Sequence, residues 1–433
     1  MSSAQITGVD ALEVLDSRGH PTVRARVTLS DGSRGEAAVP SGASTGRFEA
    51  HELRDGDPAR YGGRGVTRAV GHVRGELARA VLGRQAVDQA GVDAALLAAD
   101  GSQDKSRLGA NALLALSLAN ARAAALAQGL PLFTWIARLS GGEARPALPL
   151  PMINLFSGGK HAGAQVDFQD FLIVPRGADT LAGALAMTHR VVYAALDLLR
   201  EELGYQGLVA DEGGWAPALP SNEAMLEMAC WAIERAGLRP LEDVALAVDV
   251  AASHFFRDGA YHLRVENRAL DAGEMVERLV AWRGRYPILS FEDGLAEDDW
   301  PAWESLQARL GDRCQILGDD LLVTDVGRIA RAVERRAANS VLIKVNQVGT
   351  LSEAMQALTA ARQAGWTAVV SARSGETEDD WLADLAVGSG AGQIKVGAIT
   401  RSERLAKYNR LLAIEHDHGD LPYARQVLDR FIA

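Results

Sequence analysis

The chain has 433 residues, 48% of them hydrophobic and 23% charged, so at roughly 150 residues per domain it can hold two or three domains or one large barrel with a smaller companion. Length and composition exclude a disulfide mini-scaffold, a zinc knuckle and a disordered chain. Against 56 acidic residues stand 45 basic ones, a formal net charge of -11 with no gathered basic face, so nucleic acid is not an expected partner.

The opening MSSAQITGVD has neither a basic start nor an apolar core and does not read as a secretory signal. Val23, Ala25, Val27 and Leu29 alternate with polar residues before Asp31-Gly32, the pattern of a half-buried antiparallel hairpin. Helical periodicity follows from about Thr67 to Gln128. Within it, the apolar run Leu108 to Leu130 is interrupted by Asn111, Asn120 and Arg122, which predicts a buried helix and no membrane span. Gly141 to Pro151, with Pro146, Pro149 and Pro151, interrupts both patterns and is the expected linker. Cys230 and Cys314 are the only cysteines, too few for a disulfide framework, and a reducing cytoplasm is the expected location.

Beyond the linker, Ala245 to Val250, Ile288 to Phe291, Gln315 to Leu317, Val341 to Val345, Thr367 to Ser371 and Gln393 to Val396 read as buried strands. Each is followed by a helix-length segment. Strands apolar on both faces at this spacing predict a parallel sheet covered by helices, closed as an eight-stranded α/β barrel. A charged residue stands at the C-terminal end of each run: Asp249, Glu292, Asp319, Lys344, Arg373 and Lys395. Barrel geometry would bring all of them to one face, where such folds carry their active sites. Solvated strand-end charges are the plainer alternative.

Three carboxylates in one pocket repel unless a cation lies between them, and hard oxygen ligands favour Mg²⁺, so Asp249, Glu292 and Asp319 are candidate metal ligands. Ion pairs to Lys344, Arg373 and Lys395 would balance them equally well. Lys344 sits in the apolar frame VLIKVNQVG, where burial and a nearby metal would depress its pKa and make it a base. Arg373 and Ser374 open RSGETED, a fork donor beside a hydroxyl that suits a phosphate or phosphonate, and Lys395 offers a charge for a second anionic group.

Three loops add candidates. VPSGASTG, with Ser41, Ser44 and Thr45, reads as a lid able to serve a second metal, or as a plain flexible turn. ADEGGWAP carries Glu212, a candidate proton donor or an exposed loop glutamate. GGKHAGAQVDFQDF carries His161, Gln169 and Asp170.

Taken in order, LDSRGHPTV, SGASTG, DEGG, DVAAS, FEDGLAEDDW, LGDDLLVT, LIKVNQVGTLSEA, RSGETEDD, QIKVG and RSERLAKYN resemble the enolase family over nearly the whole chain. The resemblance implies an α+β N-terminal domain with a lid over residues 1–140, a catalytic eight-stranded barrel over 146–433, and at least a homodimer. It implies two Mg²⁺ per site, the first on Asp249, Glu292 and Asp319 and the second on Ser44. Lys344 would take the proton alpha to the substrate carboxylate, Lys395 would lie near that carboxylate, and Glu212 would assist departure of the β-hydroxyl. His161 and Asp170 join the catalytic set, while Arg373, Ser374, Gln169 and the position of Ala372 face a small phosphorylated or phosphonylated acid.

The departures bear on substrate. Ala372 stands where the family has histidine before the phosphate-binding Arg-Ser pair, and Asp170 where it has glutamate. His20 and His254 replace an asparagine and a glutamate. Losing a ring beside the phosphate opens space, which favours a carboxyphosphonoenolpyruvate synthase-like paralogue over an ordinary enolase or a non-catalytic binding homologue.

Overall fold

A computed structural model describes residues 4–43 and 46–432. The N-terminal part opens with the strands β1 (Ile6–Leu15), β2 (Pro21–Leu29) and β3 (Arg34–Ala38), an antiparallel sheet in the order β1-β2-β3. The expected alternation holds: Val23, Ala25, Val27 and Leu29 are buried and Arg24 and Arg26 are exposed. The turn falls at Asp31-Gly32, with Gly32 in the left-handed region at φ 88°.

Against this sheet lies the helix Ala110–Ala127. It is long and apolar enough to cross a membrane, yet 83% of it is buried inside the protein. Gly35 permits that contact: a Cβ there would stand 2.2 Å from Ala119 O and 2.3 Å from Ala123 N. Packing of sheet on helix therefore demands glycine at this position.

The second part is a closed barrel. Its strands are β4 (Leu150–Ser157), β5 (Asp170–Val174), β6 (Ala245–Asp249), β10 (Ile288–Glu292), β11 (Gln315–Gly318), β12 (Ser340–Ile343), β13 (Thr367–Ser371) and β14 (Gly392–Gly397). They close in the order β10-β11-β12-β13-β14-β4-β5-β6, and a small sheet of β7 (Phe256–Arg257), β8 (Ala260–Leu263) and β9 (Arg268–Leu270) follows β6. Leu150, Met152, Leu172, Ala247, Leu317 and Leu342 fill the barrel interior with Leu428 and Phe431 from the C-terminal segment.

Two expectations need correction. The barrel is not wholly parallel: β5 pairs antiparallel with both β4 and β6. Its connection to β4 is a loop without a crossover helix, and an antiparallel pair needs no crossover. The expected linker also overlaps structure, because β4 begins at Leu150 and Pro151 lies inside it. Proline is tolerated near a strand start, where its missing N–H costs the ladder least.

Candidate active site

The ends of the barrel strands gather the charged residues. Asp249 and Glu292 are the last residues of β6 and β10 and lie opposite each other in register. Asp319 and Lys344 directly follow β11 and β12, Arg373 follows β13, and Lys395 lies within β14 beside Ser371. His161 sits in the loop between β4 and β5, and Glu212 in the turn between the bridged residues Val209 and Trp215, the latter also bridged to Phe156 of β4.

One small cavity brings most of them together. Lys344, Lys395, Asp249, Arg373, Ser374 and Ala372 line it together with His161, Gln169, Glu212 and Ser371. Glu292 and Asp319 are buried beside it through their partners, and Asp170 lies behind His161. Ser44 lies outside the described residues.

The carboxylates are held by lysines. Lys395 Nζ bridges Asp249 Oδ2 at 2.9 Å and Glu292 Oε2 at 2.6 Å. Lys344 Nζ donates to Asp319 Oδ2. Arg373 pairs instead with Glu49, a residue of the N-terminal part. Burial would strip the Lys395 ammonium of its proton, but Asp249 and Glu292 outweigh it and hold its pKa well above the lysine range. Burial and the neighbouring Asp249 charge push Glu292 well above the usual carboxylate range.

The expectation of a depressed Lys344 is overturned in this arrangement. Burial does act to lower its pKa, but the Asp319 carboxylate outweighs burial and the ammonium is favoured. The sequence conceals that partner, which stands 25 residues away and reaches Lys344 only through the barrel.

A second group surrounds His161. Its Nδ1 lies 2.8 Å from Asp170 Oδ2 and its Nε2 3.9 Å from Glu212 Oε1. Asp170 is fully buried, and its other oxygen accepts from Ser157 Oγ at 2.6 Å and Asn154 Nδ2 at 2.9 Å. Burial opposes a charged imidazole, but Asp170 and Glu212 prevail and raise His161 to about 9. Glu212 moves the other way: burial raises it, while His161 and Arg404 lower it further and leave it ionised. In this arrangement a charged His161 and an ionised Glu212 are favoured together.

Several participants escape a reading of the sequence. Asn154 and Ser157 belong to β4, whose Pro151 hides it among linker residues. Glu49 and Asn346 contact Arg373 from distant segments. Asp293 adopts φ 44° and accepts from the backbone N–H of Asp319 and Asp320 at 2.9 and 2.7 Å, a local acid-rich turn that FEDG and GDD could have flagged. Arg404, fully buried, donates to the carbonyls of Arg373, Ser374 and Val396 and so fixes the loop that carries the anion-binding candidates.

The donor set suits a divalent cation. The oxygens are hard, and Glu292 Oε1 is buried with no hydrogen-bond partner. Among the described residues, His161, Asp170 and Glu212, and separately Asp293, Asp319 and Asp320, place ligand atoms within 4.8 Å of one another. The expected trio Asp249, Glu292 and Asp319 is not one of these groups; Lys395 and Lys344 stand among its oxygens.

A closed barrel with acid, base and cation groups converging on the ends of its strands is an enzyme scaffold. Residues 145–427 match the family model for the enolase C-terminal TIM barrel domain, and residues 6–136 match that for the enolase N-terminal domain. The chain belongs to the enolase family, whose members use a divalent metal and act on small phosphorylated acids, and it is a lyase of the enolase superfamily.

Proposed function

We propose that the chain takes a 2-phosphoglycerate-type acid, removes its α-proton and expels its β-hydroxyl, in a Mg²⁺-dependent reaction. The observation that carries this reading is the single cavity lined by Lys344, Lys395, Arg373, Ser374, His161 and Glu212. Asp249, Glu292 and Asp319 would hold one Mg²⁺, and the lid serine Ser44 a second. When bound, the cations supply positive charge that offsets the negative charge building on the substrate carboxylate.

Lys344 acts as the base in the form freed of its Asp319 counter-charge, since burial then favours the neutral amine. The α-proton passes to Nζ, and its electron pair forms the carbon-carbon double bond as the β-hydroxyl leaves. His161 gives the departing hydroxyl its proton from Nε2, so that water is released. Asp170 holds His161 through Nδ1 and takes no part at the substrate; Glu212 keeps the imidazole charged. Lys395 faces the carboxylate end and Gln169, which donates to Asp249 at 3.1 Å, supports the ligand wall. Arg373 and Ser374 take the phosphorus group.

For the finer specificity, Ala372 is the informative residue. It is buried in the cavity wall directly before Arg373 and presents only a methyl group. That supports a substrate whose phosphorus group is larger than phosphate, as for a carboxyphosphonoenolpyruvate synthase-like enzyme. The complete lysine, carboxylate and arginine set equally serves ordinary conversion of 2-phosphoglycerate to phosphoenolpyruvate. Purified protein with Mg²⁺ and 2-phosphoglycerate, followed by absorbance of the enol product with and without an activated phosphonoformate, separates them. Slow dehydration of the plain substrate, with a new product only when the phosphonoformate is present, is expected. Rapid dehydration unaffected by phosphonoformate would establish the ordinary reaction.

A further inference from the structure

Arg373 reaches the cavity with its guanidinium already gripped from another direction. Glu49 Oε2 lies 3.0 Å from Nη1 and Oε1 3.3 Å from Nη2, a two-point contact on the planar fork. Asn346 Oδ1 accepts from the same Nη1 at 2.9 Å. Both charged side chains are out of solvent, at 2% and 7% exposure.

Glu49 is itself anchored. Its Oε1 accepts from Gly46 N at 2.9 Å and from Gln347 Nε2 at 3.4 Å, and the next residue, Ala50, donates its N–H to Gln347 O at 2.8 Å. Arg373 lines the cavity, whereas Glu49 and Asn346 do not. A carboxylate that merely occupied the substrate's place would have to lie in the cavity. Glu49 instead faces a separate surface hollow beside Ala50 and Gln347.

From this geometry we propose that Glu49 is a positioning residue for substrate binding: the N-terminal part of the chain supplies the carboxylate that aims Arg373 at the anionic phosphorus group. The inference rests on the reading of Arg373 as the anion-binding residue. A guanidinium carries five donors in a rigid fork, so one edge can be held by Glu49 while other donors meet the ligand. Without the grip the long side chain regains rotamer freedom, which each binding event must then remove.

The test uses the full-length Mg²⁺-loaded protein, with inorganic phosphate as the calorimetric probe and 2-phosphoglycerate as the kinetic one. E49Q should weaken phosphate binding and raise KM by about tenfold, the lower end for a lost charged hydrogen bond, with kcat changed far less. E49D retains the charge and should recover part of that loss; if E49Q is not obtained folded, the raised KM and preserved kcat of E49D carry the test. E49Q binding phosphate as tightly as wild type, or more tightly, while R373M binds it poorly would overturn the role of Glu49 alone. R373M with wild-type phosphate affinity would overturn the reading of Arg373, and this proposal with it.

Discussion

Replacing Asp170 by asparagine keeps the side-chain volume and removes one buried negative charge from behind His161. In the wild-type protein His161 is raised from 6.5 to about 9 against the opposing effect of burial, with Asp170 the largest contribution that raises it. That shift corresponds to about 3 kcal/mol of preference for the imidazolium. In Asp170→Asn burial is opposed only by the remaining carboxylates Glu212 and Asp249, and the pKa of His161 should fall by at least about one unit. NMR titration of the His161 ring protons, assigned with a His161→Ala control, reads this directly. A raised pKa gives the native state one more proton than the unfolded state between pH 6.5 and about 9, so the associated stability is present below 6.5 and lost as pH rises through 9. The stability gap between wild type and Asp170→Asn should therefore shrink across that window. Turnover of the variant at pH 7 should drop on the order of 100-fold, the range for a lost general acid. A His161 that still titrates near 9 in Asp170→Asn would refute the assignment of its charge to Asp170.

Lys395→Met removes the ammonium that bridges Asp249 and Glu292, and breaking a buried ion pair costs about 3 to 5 kcal/mol. In chelator the variant should melt well below wild type, and Mg²⁺ should restore much of the difference; no restoration would argue against a cation at these carboxylates. Chelation of the wild-type protein should abolish turnover, and full activity in metal-free buffer would contradict the proposed chemistry. Ala372→His adds a donor beside the phosphorus site and should raise kcat/KM for 2-phosphoglycerate by about 10- to 100-fold while depressing any carboxyphosphono product. If plain dehydration is already fast and the histidine changes nothing, Ala372 carries no specificity.

Much of the barrel face is legible in the sequence because a charged residue closing an apolar run can only lie where a buried strand emerges. Asp249, Glu292, Asp319 and Lys344 follow from that rule, and Arg373 and Lys395 fall close to it. Two strands are not legible on the same rule. β4 contains Pro151 next to a Pro-rich stretch, and β5 opens with a buried acid, Asp170, whose charge is met by His161 in the preceding loop and by Ser157 and Asn154 of β4. Ionisation is the least legible property of all. Lys344 reads as depressed from its apolar frame, yet Asp319 decides its state; Glu212 reads as a proton donor, yet the neighbouring His161 favours its ionised form. Both partners are fixed by barrel closure, which no local pattern encodes. The Glu49 contact with Arg373 is hidden for the same reason, since it joins the N-terminal part to the end of β13.

Removal of the substrate α-proton by Lys344 is the step on which the proposed reaction depends, and solvent exchange measures it apart from later steps. Wild-type protein with Mg²⁺ and 2-phosphoglycerate in deuterated buffer should incorporate deuterium at the α-carbon, read by loss of the proton signal in NMR. Lys344→Ala should stop that exchange while leaving cation binding largely intact, because Asp249, Glu292 and Asp319 remain. Exchange at the wild-type rate in Lys344→Ala would place the base elsewhere and contradict the account.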